Sequence, residues 1–277
     1  ETVTRVIMIR CGYKKWMTFP SEVLRKQVGV FNPPSDLVSL FLDLADKHEM
    51  EFYFGLYDSG NWPGGNMNKE LDLGRTVVDE VWQLYGKRSA FRGWYISQEI
   101  NRKTPGMIEL IGGLGAHCKA VSGGLTTLIS PYIDGIKNIS QYDRDISRNE
   151  GISIEDHRRE WGEIFEGIAS GIDVVAFQDG HVEFDELSDF LRVNKQLADQ
   201  HGLACWTNTE SFDRDMPIKF LPIKWEKLLL KLQAAENIGV GKGITFEFSH
   251  FMSPNSCYFQ ARNLYNRYRD FFRIPNS

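Results

Sequence analysis

A chain of 277 residues with 42% hydrophobic and 25% charged side chains has enough apolar material for a large globular core, so neither disulfides nor metal are needed to stabilise it. The net charge of −5 argues against a nucleic-acid partner, because phosphate binding needs concentrated Lys and Arg. No run of about 18 apolar residues occurs, so no membrane span is expected. Cys11, Cys118, Cys205 and Cys257 form no Cys/His pattern, which argues against a structural zinc and a disulfide framework.

In chain order, the first predicted element is a strand over Thr4–Arg10, almost at the start of the sequence. Ser35 is then read as the N-cap of a helix whose Leu37, Leu40, Phe41, Leu44 and Ala45 recur at helical spacing. A strand is predicted over Glu51–Tyr57, followed by a helix marked by Val77, Val81, Trp82 and Tyr85. Further strands are predicted over Gly93–Ser97 and Leu125–Ser130. Ser153 is a plausible cap for a helix carrying Ile154, Trp161, Ile164, Phe165 and Ile168. Next come a strand over Ile172–Phe177, a helix with Leu187, Phe190, Leu191, Leu197 and Ala198, and a strand over Leu203–Thr207. Trp225, Leu228, Leu229 and Leu232 mark another helix, Gly243–Phe248 a last strand, and Phe259, Leu264, Tyr265, Tyr268 and Phe271 a final helix.

Short apolar runs that alternate with longer amphipathic ones are the pattern of parallel βα units. The spacing is regular throughout, so residues 1–277 are expected to form one domain of the (β/α)8 TIM-barrel type. Seven strands are one short of closure, and the simplest expectation is that the first β/α unit is missing at the N-terminus. The rival is a doubly wound open sheet. Its nucleotide-binding version is disfavoured because no G-x-G-x-x-G or G-x-x-x-x-G-K-[ST] follows a strand, and no cofactor is expected.

In α/β barrels the active site lies at the C-terminal ends of the strands. The residues placed there are Arg10, Tyr13, Asp58, Trp62, Gln98, Glu99, Tyr132, Gln178, Asp179, Asn208, Glu210 and His250. Carboxylates, amides and aromatic rings together suit a carbohydrate substrate, since two acids cleave the glycosidic bond, amides read hydroxyls and rings cover the apolar sugar face. Local explanations compete for several of them. Glu99 could be a first-turn helix acid, Glu210 a loop cap and Asp179 a turn former. Glu247, inside an apolar run, either faces the barrel mouth near Arg10 or shows that the strand ends earlier.

The segment Gly93-Trp94-Tyr95-Ile96-Ser97-Gln98-Glu99 resembles the fourth-strand segment of the clan A retaining glycoside hydrolases, where the final Glu is the acid/base and is usually preceded by Asn. Gln98 replaces that Asn here. Ala204-Cys205-Trp206-Thr207-Asn208-Thr209-Glu210 resembles the seventh-strand segment, whose Glu is the nucleophile. Tyr53-Phe54-Gly55-Leu56-Tyr57 through Trp62, with Gly93-Trp94-Tyr95-Ile96 and Phe177-Gln178-Asp179-Gly180, is similar to an uncharacterised bacterial domain family grouped with the barrel glycosidases.

The resemblance implies a glycoside hydrolase in which Glu99 protonates the leaving oxygen and Glu210 attacks the anomeric carbon. Asp58, Gln178, Asp179 and Asn208 are expected to orient hydroxyls, and Tyr13, Trp62 and Tyr132 to wall the cleft. Gln98 and His250 complete the expected substrate contacts, with Arg10 as the cation beside Glu210. An extracytoplasmic location is favoured if the substrate is a polysaccharide. Two alternatives stay open: a non-catalytic carbohydrate-binding barrel, and a metal-dependent hydrolase or isomerase using His181, His250, Asp179 and Glu247.

Overall fold

Strand and helix alternate along the chain in a computed structural model that describes residues 4–61, 66–136, 151–214 and 220–274. The residues divide into two units, 1–130 with 163–174 and 201–203, and 131–162 with 175–200 and 204–277.

In the first unit the strands β1 (Arg5–Ile7), β2 (Glu51–Gly55), β3 (Phe91–Tyr95) and β4 (Thr126–Ile129) lie side by side in that order, all parallel. Helices α1 (Glu22–Val28), α2 (Leu37–Lys47), α3 (Met67–Tyr85) and α4 (Met107–Ser122) belong to the same unit. Four of the five residues of β2 are buried, as expected of a parallel strand covered on both faces. Phe54 packs against Phe19, Phe91 and Trp94, and Trp82 closes the cluster against Phe91 and Trp94. Gly55 ends β2 where the chain after β1 passes close by: a Cβ there would lie 2.0 Å from the Met8 carbonyl oxygen. Beyond β1 and β2 a small three-stranded sheet joins Gly12–Tyr13, Trp16–Met17 and Tyr57–Asp58, and so fixes Asp58 beside Tyr13.

Helix α2 departs from its predicted orientation and cap. Val38, Leu42 and Ala45 face the core, whereas Leu37, Leu40, Phe41 and Leu44 are exposed. The helix is apolar on two faces, and spacing alone does not say which one meets the sheet. Its N-cap is Asp36, which accepts from the Ser39 N–H at 3.0 Å, and not Ser35.

The second unit carries β5 (Val174–Gln178), β6 (Ala204–Glu210) and β7 (Gly243–Phe246) in that order, with β6 and β7 parallel and Glu210 opposite Phe246. Helix α5 (Ile154–Ile168) belongs to it up to Gly162 and to the first unit from Glu163, and its other helices are α6 (Phe184–Gln200), α7 (Trp225–Asn237), α8 (Phe248–Phe251) and α9 (Phe259–Phe272). Ser153 accepts from the Asp156 N–H at 3.1 Å, the expected capping contact for α5. Trp161, Phe177 and Phe190 pack around His157, and Ile223, Trp225, Leu228, Met252 and Leu264 form a separate cluster.

All seven predicted strands are present, and the fold class is that of the (β/α)8 barrel with seven strands among the described residues. Strand β7 stops at Phe246, two residues before the predicted end. Glu247 therefore does not sit inside a strand: its carboxylate caps α8, accepting from the N–H groups of Ser249 at 3.0 Å and His250 at 2.7 Å. Those bonds outweigh burial and hold its pKa below the usual glutamate value. Among the described residues no helix is long and apolar enough to cross a membrane.

Candidate active site

Each unit gathers charged side chains at the C-terminal ends of its strands, where barrel enzymes build their sites. In the first unit Arg10 is the hub. Its Nη2 donates to Glu99 Oε2 at 2.9 Å, and its Nε lies 3.2 Å from Asp58 Oδ2. The guanidinium also stands 5.3 Å from the centre of the half-exposed Tyr13 ring. Asp58 accepts from the Gly60 N–H at 2.8 Å through its other oxygen. Arg10, Tyr13, Asp58 and Glu99, all singled out from the sequence, thus meet in one group.

Gln98 is buried beneath that group. Its Nε2 donates to the Tyr57 carbonyl at 3.1 Å and to Glu70 Oε1 at 3.0 Å. Glu70, on α3, was not anticipated, although an acid in helical phase with Leu73, Gly74 and Val77 is a readable signal. It also accepts from the Ser59 N–H at 3.1 Å, yet burial dominates and holds its pKa above the ordinary glutamate value. Burial likewise pushes the neighbouring Tyr57 up to about 12. It raises Tyr95 as well, with the charge of Glu99 adding to the effect.

The expectation that Arg10 serves as the cation of Glu210 is corrected. Arg10 engages Glu99 and Asp58 because β1, β2 and β3 are neighbours, so the residues that follow them converge. The cation at Glu210 comes from its own loop. Arg214 donates from Nε to Oε2 at 2.7 Å and from Nη2 to Oε1 at 2.5 Å, and the two side chains are 12% and 3% exposed. Burial works against the Arg214 charge, but Glu210 outweighs it and holds the guanidinium pKa above its ordinary value. The four-residue separation from Glu210 was the overlooked signal.

Glu210 closes β6, and its backbone is held as firmly as its side chain. Asp179 Oδ1 accepts from the Glu210 N–H at 3.0 Å and from Lys231 Nζ at 2.9 Å, while Lys231 also donates to the Glu210 carbonyl at 3.2 Å. Burial raises the pKa of Asp179, and the Lys231 charge opposes that rise. The Glu210 carboxylate rests on Gly180, where a Cβ would come within 2.0 Å of Oε2. Asn208 is buried two residues before Glu210, and its carbonyl accepts from the Asp179 N–H at 3.3 Å. Gln178, the last residue of β5, bridges to Tyr132, whose ring stacks on His181 at 5.2 Å. Burial, aided by the Arg214 charge, pushes His181 down to about 4.

Asp179, Asn208, Gln178, Tyr132 and Glu210 are therefore all placed in the second unit's strand-end region. His250 sits on α8 with its ring largely exposed, Nδ1 2.5 Å from Glu247 Oε1. Trp62 lies outside the described residues. Among the described residues no group of three or more His, Cys, Asp or Glu side chains is arranged to hold a metal. Of the four donors considered for one, Asp179 pairs with Lys231, and Glu247 with His250.

A protein from Bacteroides thetaiotaomicron VPI-5482, described as a putative alpha-L-fucosidase, is 54% identical over 98% of this chain and 83% of that one, with a TM-score of 0.92. The intracellular xylanase TsXylA of Thermoanaerobacterium saccharolyticum JW/SL-YS485 matches at 12% identity and a TM-score of 0.52, covering 88% of this chain and 77% of that one. The endo-1,4-beta-D-mannanase of Thermotoga petrophila RKU-1 matches at 10% identity and a TM-score of 0.53, covering 87% and 78%. These two likenesses are of fold, and the fold is one that glycoside hydrolases use. No curated protein matches the chain. A family model matches residues 2–258, and the chain belongs to that family, the domain of unknown function DUF4434.

Proposed function

We propose that the protein is a glycoside hydrolase, built as a single barrel domain, with Glu210 as nucleophile and Glu99 as acid/base in a retaining mechanism. The observation that carries this reading is the setting of Glu210. A carboxylate at the end of a parallel strand is buried, chelated by Arg214 through both oxygens, and anchored at its backbone by Asp179. A nucleophile must hold one orientation toward the anomeric carbon, and such a cage supplies it. Glu99 is the more accessible acid, as a group that exchanges protons with a leaving oxygen and then with water should be. Asp58 and Tyr13 share its neighbourhood and would contact the sugar, while Tyr132, Gln178 and Asn208 would do so near Glu210.

The name carried by the 54%-identical relative makes an α-L-fucoside the first substrate to try, within a panel of aryl glycosides and oligosaccharides. Glu210→Gln and Glu99→Gln should each lower turnover by about 100-fold or more. NMR of the first-formed product should show retained anomeric configuration, and an inverted product would remove the nucleophile role from Glu210.

A second reading has an observation of its own. Both acids are engaged by arginines, Glu99 by Arg10 and Glu210 by Arg214, as suits a barrel that binds carbohydrate without cleaving it. In that case the unmutated protein binds an oligosaccharide in calorimetry and the Gln variants still bind, yet no member of the panel is hydrolysed.

A further inference from the structure

Lys231 occupies a place in α7 where an apolar residue would be expected. It lies in helical phase with Leu228 and Ala235, is 8% exposed, and turns its ammonium inward. Its partner Asp179 is 2% exposed. Taking both charges out of water is costly, and an apolar residue in the same place would avoid that cost. What the pair does instead is specific. Lys231 Nζ reaches the Glu210 carbonyl at 3.2 Å and Asp179 Oδ1 at 2.9 Å, and that same Oδ1 takes the Glu210 N–H at 3.0 Å. Both main-chain polar groups of one residue thus close on one buried ion pair.

We propose that Lys231, acting through Asp179, is a positioning residue for Glu210. It fixes the backbone at the strand end, so that the side chain leaves β6 in the one direction that lays its carboxylate over Gly180 and against Arg214. The inference rests on the reading of Glu210 as the reacting carboxylate. It adds α7, a helix remote in sequence, to the machinery that aims that group. It also gives Asp179 a role beyond the expected hydroxyl contact: its Oδ1 is shared between Lys231 and the Glu210 N–H.

The test combines a spectroscopic and a kinetic readout on the whole chain. Protein carrying 13C-carboxyl glutamate gives one resonance per Glu, and that of Glu210 is identified by its loss in Glu210→Gln. Lys231→Met should shift or broaden the Glu210 resonance and leave that of Glu22, at the start of α1, unchanged. Because Lys231→Met strands a buried carboxylate, Asp179→Asn/Lys231→Met removes both charges together and safeguards folding; it should disturb the same resonance. On any aryl glycoside that the unmutated protein cleaves, kcat should fall about 10- to 100-fold with KM within about twofold, the signature of a misaimed group. Lys231→Arg should restore most of it. A folded Lys231→Met protein with an unmoved Glu210 resonance and unchanged kcat would overturn the proposal. If the unmutated protein cleaves nothing in the panel, the catalytic reading of Glu210 falls, and the resonance still decides whether Lys231 positions it.

Discussion

Arg214 and Glu210 meet fork to fork: each carboxylate oxygen receives one guanidinium N–H, at 2.7 and 2.5 Å, with neither side chain more than 12% exposed. Bidentate charge-assisted pairs of this kind are stronger and more directional than single contacts. Removing one partner leaves an uncompensated charge in a poorly solvated place. Arg214→Met should therefore cost about 3–5 kcal/mol of stability, read by urea unfolding at neutral pH. Arg214→Lys keeps the charge but loses the fork, and should recover only part of the loss. A cost below about 1 kcal/mol for Arg214→Met would mean that the pair behaves as a solvated surface contact.

Gly180 offers a steric probe of the same group. An alanine Cβ would fall 2.0 Å from Glu210 Oε2 and 2.2 Å from Cδ and Oε1. A free carboxylate would swing away, but Arg214 holds both oxygens. Gly180→Ala should cost about 1–3 kcal/mol and, under the proposed mechanism, abolish most turnover. Wild-type stability with wild-type kcat would show that the carboxylate has room to move.

His181 gives the site a pH signature. Its folded-state pKa of about 4 lies below the ordinary value of 6.5, because burial and Arg214 disfavour the imidazolium. Between those values the unfolded chain binds the proton and the folded chain does not. The contribution is fully present above pH 6.5 and is lost as pH falls toward 4, at most about 3 kcal/mol. Glu70 and Asp179, both raised by burial, act in the opposite sense as pH climbs past their unfolded values. The comparison is therefore wild type against His181→Gln in urea at pH 5 and pH 7. The variant should lose less stability on acidification, and parallel curves for the two proteins would contradict the assignment.

Gly55 tests the fold and not the site. The atoms a Cβ would meet are backbone, Met8 O at 2.0 Å and the carbonyl carbon of Ile9 at 2.6 Å, and neither can turn aside without parting β1 from β2. Gly55→Ala should cost about 3 kcal/mol or more, at the upper end of overpacking penalties. Gly241, whose Cβ would meet nothing within 4 Å, is the matched control, and Gly241→Ala should stay within about 0.5 kcal/mol of wild type. Similar losses in both variants would point to a general intolerance of glycine replacement.

The alternation of apolar runs placed all seven strands and the fold class, because hydrophobic periodicity is a local property that survives without a partner. Residues at strand ends followed from the same pattern, which is why Arg10, Asp58 and Glu99 could each be named as strand-end residues, although not as one another's partners. What periodicity could not supply was the choice among partners. Glu210 takes its cation from Arg214 and not from Arg10, Lys231 turns from an apolar helix stripe onto Asp179, and α2 buries Val38 and Leu42 in place of Leu40 and Phe41. Each of these outcomes depends on which charges and faces the packed elements bring within about 3–4 Å, where desolvation makes pairing decisive. Sequence spacing determines where a side chain leaves the backbone; only tertiary packing decides what it meets.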